Sequence, residues 1–80
     1  MAESRSIDYD HLFDAGEMGC GELVMKLKMN FAAMAGGECI KVIALDPGAK
    51  EDMPAWCKLT GHTLVWMEHP NYFIRKKEDS

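Results

Sequence analysis

The sequence feature that most constrains the fold is an almost unbroken apolar run at the centre of the chain, over residues 38–45. Alternation along this run places Cys39, Lys41, Ile43 and Leu45 on one side, and Ile40, Val42 and Ala44 on the other. A strand that is apolar on both sides is typical of the middle of a sheet rather than of its edge. The run therefore predicts a central strand, which the rest of the chain must flank with strands and cover with helices.

A helical pattern precedes this strand. The apolar residues at helical spacing are Leu23, Val24, Leu27, Phe31 and Met34, and together they form one stripe. They predict a first helix that begins at residue 21 or 22 and ends at residue 35. Gly36 and Gly37 should close it, because glycine readily takes the left-handed conformation of a helix cap. Met25 and Met29 lie off the stripe, so they are either core filler or part of an apolar docking surface.

A second helical pattern follows the central strand. Asp46 and Pro47 are typical of a helix start, with the aspartate as the capping acid and the proline where its missing N–H does no harm. They predict a second helix over residues 50–60, closed by Gly61, with an apolar face of Met53, Trp56 and Cys57. Pro54 lies inside this segment and is expected to kink the helix or to restart it near Asp52.

Alternating segments predict three further strands, over residues 7–13, 62–67 and 72–75. The first is expected at a sheet edge, with Tyr9 and His11 sharing a face with Ile7. In the third, Leu64 and Trp66 are expected to share a face, and Trp66, like Trp56, should lie in the core. The turn after the third strand brings the fourth back beside it.

The element order predicts an α+β fold, a two-layer βαβαββ sandwich with both helices on one face of a mixed four-stranded sheet. The first two strands should be parallel, because a strand–helix–strand unit makes a right-handed crossover. We expect a single domain over residues 7–76, a flexible N-terminus over residues 1–6 and a flexible tail over residues 77–80.

Charge and composition exclude several classes of function. The chain has 80 residues and a net charge of −4, which argues against a nucleic-acid or anionic membrane surface and agrees with protein partners. The sequence has no apolar run long enough to span a bilayer, and it has no export signal, so the cytoplasm is the expected location.

The three cysteines and three histidines match neither a disulfide framework nor a metal site. We therefore expect no metal and no cofactor.

The one candidate for chemistry is Cys20, which stands where an extended segment joins the first helix. The unpaired backbone N–H groups and the dipole of a helix N-terminus favour a negative charge, so they favour the thiolate, which is the nucleophilic form of cysteine. Cys39 in the central strand and Cys57 on the second helix are expected to be buried and inert.

Two motifs with matching spacing make the chain resemble the TusA/SirA/YedF family of small sulfur carriers. The first runs from residue 13 to residue 23 as F-D-A-G-E-M-G-C-G-E-L, against a family pattern of L-D-x-R-G-x-x-C-P-x-P. The second consists of D-P at residues 46–47, D-M-P-A-W-C at residues 52–57 and G-H at residues 61–62, against D-P-x-x-x-x-D-I-P-x-[FW]-C and G-H.

The resemblance implies a βαβαββ sandwich that carries sulfur as a persulfide on the cysteine that corresponds to Cys20. It also implies two kinds of partner. A cysteine desulfurase or another relay protein would donate the sulfur, and a downstream protein would accept it for tRNA thiolation, cofactor synthesis or sulfur metabolism. Such a protein is a stoichiometric carrier rather than a turnover enzyme with its own cleft.

The chain departs from the family pattern around the cysteine. Gly21 and Leu23 replace both prolines, Gly16 stands in place of an arginine, and Glu17 and Glu22 flank the thiol. Glycine loosens the loop, and the two carboxylates oppose ionisation of the thiol. These departures favour an alternative, a non-catalytic interaction or regulatory module with a drifted cysteine loop. A third interpretation is redox buffering through a disulfide from Cys20 to one of the other two cysteines.

Overall fold

The computed structural model describes residues 8–78, with Cys20 described by its backbone alone. Its elements are β1 His11–Gly16, α1 Cys20–Ala32, β2 Cys39–Ala44, α2 Ala49–Thr60, β3 Thr63–Glu68 and β4 Asn71–Arg75. The predicted order βαβαββ is confirmed. The flexible N-terminus predicted for residues 1–6 lies outside the described residues, as do residues 79 and 80 of the predicted tail.

The four strands form one sheet in the order β1-β2-β4-β3. Strands β1 and β2 are parallel, and the β2–β4 and β3–β4 pairs are antiparallel. The prediction that β2 is central is confirmed, since it has a strand on each side, and β1 lies at an edge as expected. The α+β two-layer sandwich is likewise confirmed.

The core lies between the helices and one face of the sheet. The predicted alternation of β2 is correct, because Ile40, Val42 and Ala44 are buried in the main core cluster. The stripe of α1 and the apolar face of α2 pack on them; the buried helical residues are Leu23, Leu27, Phe31, Ala49, Met53, Trp56 and Cys57. In residues 8–78 no helix is long and apolar enough to cross a bilayer.

The first strand begins later than predicted. β1 starts at His11 and extends to Gly16, because Asp10 bends the chain and accepts the Cys39 N–H at its carboxylate, at 3.0 Å. At its other end Gly16 has φ +58° beside a break in the β1–β2 register. Tyr9 contacts the ring of Phe73 on the sheet face away from the helices, so the prediction that Tyr9 shares a face with His11 is wrong.

The prediction for the third strand also fails at one position. Leu64 pairs with Ile74, whereas Trp66 pairs with Phe73, and the register shifts between Leu64 and Trp66. The extra residue of this bulge turns the following side chains to the opposite face. Leu64 packs against the core, while Trp66 is half-buried on the face without helices, so the prediction that Trp66 lies in the core is wrong.

The first helix ends before the predicted glycine cap. Its last residue is Ala32, and its C-cap, Ala33, is right-handed. A residue distant in sequence caps the C-terminus of α1. The Lys76 ammonium donates to the carbonyls of Phe31 and Met34, at 2.6 Å each. The left-handed glycine, Gly37 at φ +89°, comes well after the cap.

The second helix is continuous from Ala49 to Thr60 with Pro54 inside it, so the predicted restart near Asp52 is wrong. The N-cap is Gly48, without a side-chain cap bond. Asp46 instead holds the preceding turn, since its carboxylate accepts the Gly48 N–H at 3.1 Å. The predicted closure by a glycine is confirmed at Gly61, which is left-handed.

Candidate functional site

Both helices start at the edge of the sheet where the carboxyl ends of β1 and β2 lie. β1 and β2 are parallel, and each is followed directly by a helix, so α1 and α2 begin at the same edge. The Leu45 N–H donates to the Gly16 carbonyl at 2.9 Å, which ties the two connecting loops together. Both helix N-termini therefore bring their partial positive charges to this edge, which suits an anionic group.

Cys20 lies at this edge as the first residue of α1. The residue before it, Gly19, is the N-cap and has extended backbone at φ −72°, ψ 168°. The first helical hydrogen bond runs from the Leu23 N–H to the Gly19 carbonyl, at 2.9 Å. The backbone N–H groups that precede it in the first turn have no acceptor within the helix. The predicted position of Cys20 at a helix N-terminus is thus confirmed, with α1 starting slightly earlier than expected.

The chain around Cys20 is open. Gly19 and Gly21 are exposed, and a Cβ added to either would meet no atom within 4 Å. Glu17 and Glu22 are exposed too, with Glu22 in the first turn of the helix. The backbone of this segment is therefore accessible, and two exposed carboxylates lie beside it in sequence.

The other two cysteines are structural. Cys39 and Cys57 are buried free thiols. Burial raises the pKa of Cys39 and raises that of Cys57 to about 11, because a thiolate is poorly solvated there. Both remain protonated at neutral pH, which agrees with the prediction that they are inert.

The topology also argues against a disulfide to Cys20. Cys39 begins β2, about 16 Å along the strand from the edge where Cys20 lies. Cys57 is more than two turns into α2, about 12 Å from the start of that helix. A disulfide needs Cα atoms within about 7 Å, so the redox interpretation would require the fold to rearrange.

A buried tyrosine and a histidine lie at the same edge of the sheet, next to the end of β2. The β3–β4 turn reaches it, because the Pro70 carbonyl accepts the Ala44 N–H at 2.9 Å. Tyr72 is fully buried and its hydroxyl bonds to Nδ1 of His69. Burial raises the pKa of Tyr72, so the phenol keeps its proton at neutral pH. Neither residue was singled out from sequence, because an isolated H-P-N-Y segment carries no catalytic spacing.

The solvent face of α1 is apolar along part of its length. Met25 and Met29 are 61% and 60% exposed, so the interpretation of these residues as core filler is wrong. Methionine is a flexible apolar contact residue that suits surfaces which bind partners. Both lie on the helix that Cys20 begins, which leaves the alternative interpretation, an apolar docking surface.

The chain is similar to known proteins of one family. The family model described as Sulfurtransferase TusA matches residues 11–76. A sulfur carrier protein TusA from Pseudomonas putida is 38% identical over 74 residues, which is 88% of this chain and 92% of the relative. The chain belongs to the TusA family.

Two further relatives of the same name support this assignment. The Pseudomonas entomophila protein is 37% identical over 75 residues, covering 89% of this chain and 94% of the relative. The Pseudomonas paraeruginosa protein is 39% identical over 74 residues, covering 88% and 94%. The match to the TusA model spans Cys20, both helices and the whole sheet.

The described histidines, cysteines and carboxylates do not form a metal site. Among the side chains that the structure describes, no three of His, Cys, Asp and Glu are grouped so that they could hold a metal ion. His11 pairs with Glu38 at 2.8 Å, His69 with Tyr72, and Nδ1 of His62 accepts the Lys77 N–H at 3.1 Å. Each histidine thus serves a separate structural contact.

Proposed function

We propose that this protein is a sulfur carrier that holds sulfur as a persulfide on Cys20. The observation that carries the proposal is that Cys20 begins α1 inside the segment that matches the TusA family model. The relatives named sulfur carrier protein TusA support the same role. The buried cysteines support it indirectly, because their protonated thiols leave Cys20 as the nucleophile.

The transfer is a thiol–persulfide exchange. The Cys20 thiolate attacks the outer sulfur of a donor persulfide, a new S–S bond forms, and the donor S–S bond breaks with its electron pair leaving on the donor thiolate. An acceptor thiolate then attacks the outer sulfur on Cys20 and releases the Cys20 thiolate. Neither step needs an external oxidant, since one S–S bond replaces another.

Two partners follow from this chemistry. The donor is a cysteine desulfurase or another relay protein, and the acceptor is a downstream protein in tRNA thiolation, cofactor synthesis or sulfur metabolism. The exposed Met25 and Met29 supply an apolar surface for them on the helix that begins at Cys20. We place the relay in the cytoplasm, where reducing conditions keep a carrier thiol out of stable disulfides.

The test is sulfur loading followed by mass spectrometry. The protein is incubated with a cysteine desulfurase and cysteine, and separately with thiosulfate and a sulfurtransferase, so that one incompatible donor does not decide the outcome. We expect one added sulfur, located on the peptide that contains Cys20 and removed by dithiothreitol. Cys57→Ala is the matched control, because it removes a buried thiol and should still load.

Loading that persists in Cys20→Ser would contradict the proposal, as would the absence of added sulfur with both donors. The second result would favour the alternative function, an interaction or regulatory module on the same fold. Replacement of both family prolines, by Gly21 and Leu23, is the observation that favours this alternative. Titration of the Cys20 thiol separates the two, because a carrier needs a pKa well below the ordinary value of about 8.5.

A further inference from the structure

The outer face of the sheet, which is the face without helices, carries apolar and charged side chains side by side. Side chains of β1 and β2 alternate between the core and this face, and those that point outward include Leu12, Asp14, Lys41 and Ile43. Leu12 is 56% exposed, Asp14 is exposed, and Lys41 and Ile43 are half-buried. Both helices pack on the opposite face, so neither helix covers these residues.

These residues form the corners of a rectangle. The β1–β2 register places Leu12 beside Lys41 and Asp14 beside Ile43. Neighbouring strands lie about 4.8 Å apart, and residues two apart on one strand lie about 6.7 Å apart. Leu12 and Ile43, the apolar pair, therefore occupy one diagonal. Asp14 and Lys41, which have opposite charges, occupy the other diagonal.

The two charges are not neutralised within the chain. One carboxylate oxygen of Asp14 accepts the Gly16 N–H at 3.1 Å, which is a neutral partner. The Lys41 ammonium lies 5.7 Å from the ring centroids of both Tyr9 and Phe73, so aromatic rings rather than a carboxylate attract it. Within residues 8–78, neither Asp14 nor Lys41 forms an ion pair. Each can therefore pair with an opposite charge on another molecule.

This arrangement of residues is complementary to itself. Consider a two-fold axis that lies between two such faces, along the line from Leu12 to Ile43. The axis keeps these two corners in place and exchanges the other two, so Asp14 of each copy faces Lys41 of the other. Leu12 faces Leu12, and Ile43 faces Ile43. The strands of the two sheets cross at about 70°, which is close to the orthogonal class of sheet packing.

We propose that the outer face binds a second copy of this chain in an isologous two-fold contact. The apolar diagonal supplies the buried centre, and the two pairs of Asp14 with Lys41 flank it and fix the orientation of the copies. Tyr9 and Leu45, which are 45% and 47% exposed, extend the apolar area. A contact of this extent is at the low end of specific interfaces, so the dimer is weak and reversible.

The contact leaves both carrier sites open. Cys20 begins α1, which packs on the opposite face of the sheet, so the helix layers of the two copies lie on the outside of the dimer. The proposal therefore does not rest on the sulfur chemistry, and the failure of either leaves the other unaffected.

The experiment is sedimentation equilibrium of the full-length protein carrying Cys20→Ser, which prevents disulfide-linked dimers. The protein is compared between about 10 µM and about 1 mM, the range that detects weak association. Salt near physiological strength screens the repulsion between two chains of net charge −4. We expect a monomer–dimer equilibrium. In ¹⁵N-labelled protein, amide shifts on dilution should be confined to the outer face, at Leu12 and Lys41, with Gly21 and Leu59 unchanged.

Charge reversals test the pairing of Asp14 with Lys41. Asp14→Lys brings two lysines together in the dimer, and Lys41→Glu brings two carboxylates together. Because each reversal acts at both symmetric contacts, each should weaken the dimer about tenfold. An equimolar mixture of the two variants should form a heterodimer as strong as the parent dimer, because each copy then meets the charge that the other supplies. Recovery in the mixture also shows that both variants are folded.

Matched variants separate the outer face from general effects. Leu12→Ser removes the apolar contact on the axis from both copies and should weaken the dimer about tenfold. Met29→Ser removes a side chain that is 60% exposed on the helix layer, and Lys58→Glu reverses an exposed charge in the last turn of α2; both should leave the dimer unchanged. The proposal is overturned if the protein is monomeric at every concentration, if the mixture does not recover, or if the dilution shifts lie on the helices.

Discussion

At the scale of single residues, burial makes two of the three cysteines unreactive. Cys39 and Cys57 are buried and their pKa values are raised, whereas Cys20 stands at a helix N-terminus. The sequence predicted the burial of Cys39 and Cys57 correctly, because a cysteine in an apolar run and one on a helix core face both point inward. The open loop around Cys20 follows from the same local pattern of glycines.

His62 gives a residue-scale prediction for stability against pH. Burial lowers its pKa in the folded protein from the ordinary value of 6.5, so the unfolded chain binds the proton more tightly. The contribution of His62 to stability is therefore fully present above pH 6.5, and it is lost as the pH falls through that value toward the pKa in the folded protein. We expect the free energy of unfolding, measured with urea, to decrease between pH 7.5 and pH 5.5 (about 1 unit on either side of the ordinary value).

His62→Gln provides the control, because glutamine keeps an acceptor for the Lys77 N–H but does not titrate. This variant should show a flatter dependence over the same interval. Glu38 does not interfere, since its pKa is lowered from 4.5, chiefly by the bond to His11, and its contribution is lost only at lower pH. An equal slope in His62→Gln would show that another group controls this interval.

At the scale of elements, the end of α1 depends on one distant lysine. The Lys76 ammonium binds the carbonyls of Phe31 and Met34 across 45 and 42 residues of chain, and the last turn of α1 has no basic residue of its own. Lys76→Met keeps the apolar stem and removes the donor. We expect the free energy of unfolding to fall by about 1.5–3 kcal/mol, the range for hydrogen bonds from charged groups.

Lys28→Met is the matched variant for this measurement. Lys28 is an exposed lysine on the same helix, and its loss should change stability by less than about 0.5 kcal/mol. Equal losses in the two variants would mean that the methionine itself, rather than the missing cap, destabilises the protein.

The elements also show where sequence patterns stop being informative. Periodicity identified both helices, all four strands and the buried side of β2, because these depend on residues close in the chain. It failed for the faces of Tyr9 and Trp66 and for the end of α1. Two failures involve a partner far away in sequence, the Asp10–Cys39 bond and the Lys76 cap. The third comes from the bulge in the pairing of β3 with β4, which alternation along β3 alone does not reveal.

At the scale of the whole molecule, the two proposed sites belong to different layers of one sandwich. The Cys20 site follows from topology, since consecutive parallel strands place both helix starts at one edge. The dimer contact on the outer face did not follow from sequence, because its residues come from two strands and only their register places Leu12 beside Lys41. No spacing within a single segment joins Asp14 to Lys41, so the self-complementary pattern becomes visible only when the strands are paired.

The core that separates these two layers yields a final prediction about cooperativity. Cys57 is 3% exposed inside the single cluster that joins both helices to the sheet, so an alkylating reagent should reach it only when the whole domain unfolds. Its labelling rate in native protein should then follow global stability. Lys76→Met, if it costs the expected free energy, should accelerate labelling of Cys57 about tenfold to a hundredfold.

Cys39, 3% exposed at the far end of β2, should accelerate by the same factor, which mass spectrometry of the two cysteine peptides measures in one sample. Rapid labelling of Cys57 that does not change in Lys76→Met would mean that α2 opens by itself while the sheet stays folded. The surface formed by α2 would then be mobile, whereas equal acceleration at both cysteines would show that α2 and the sheet belong to one cooperative unit.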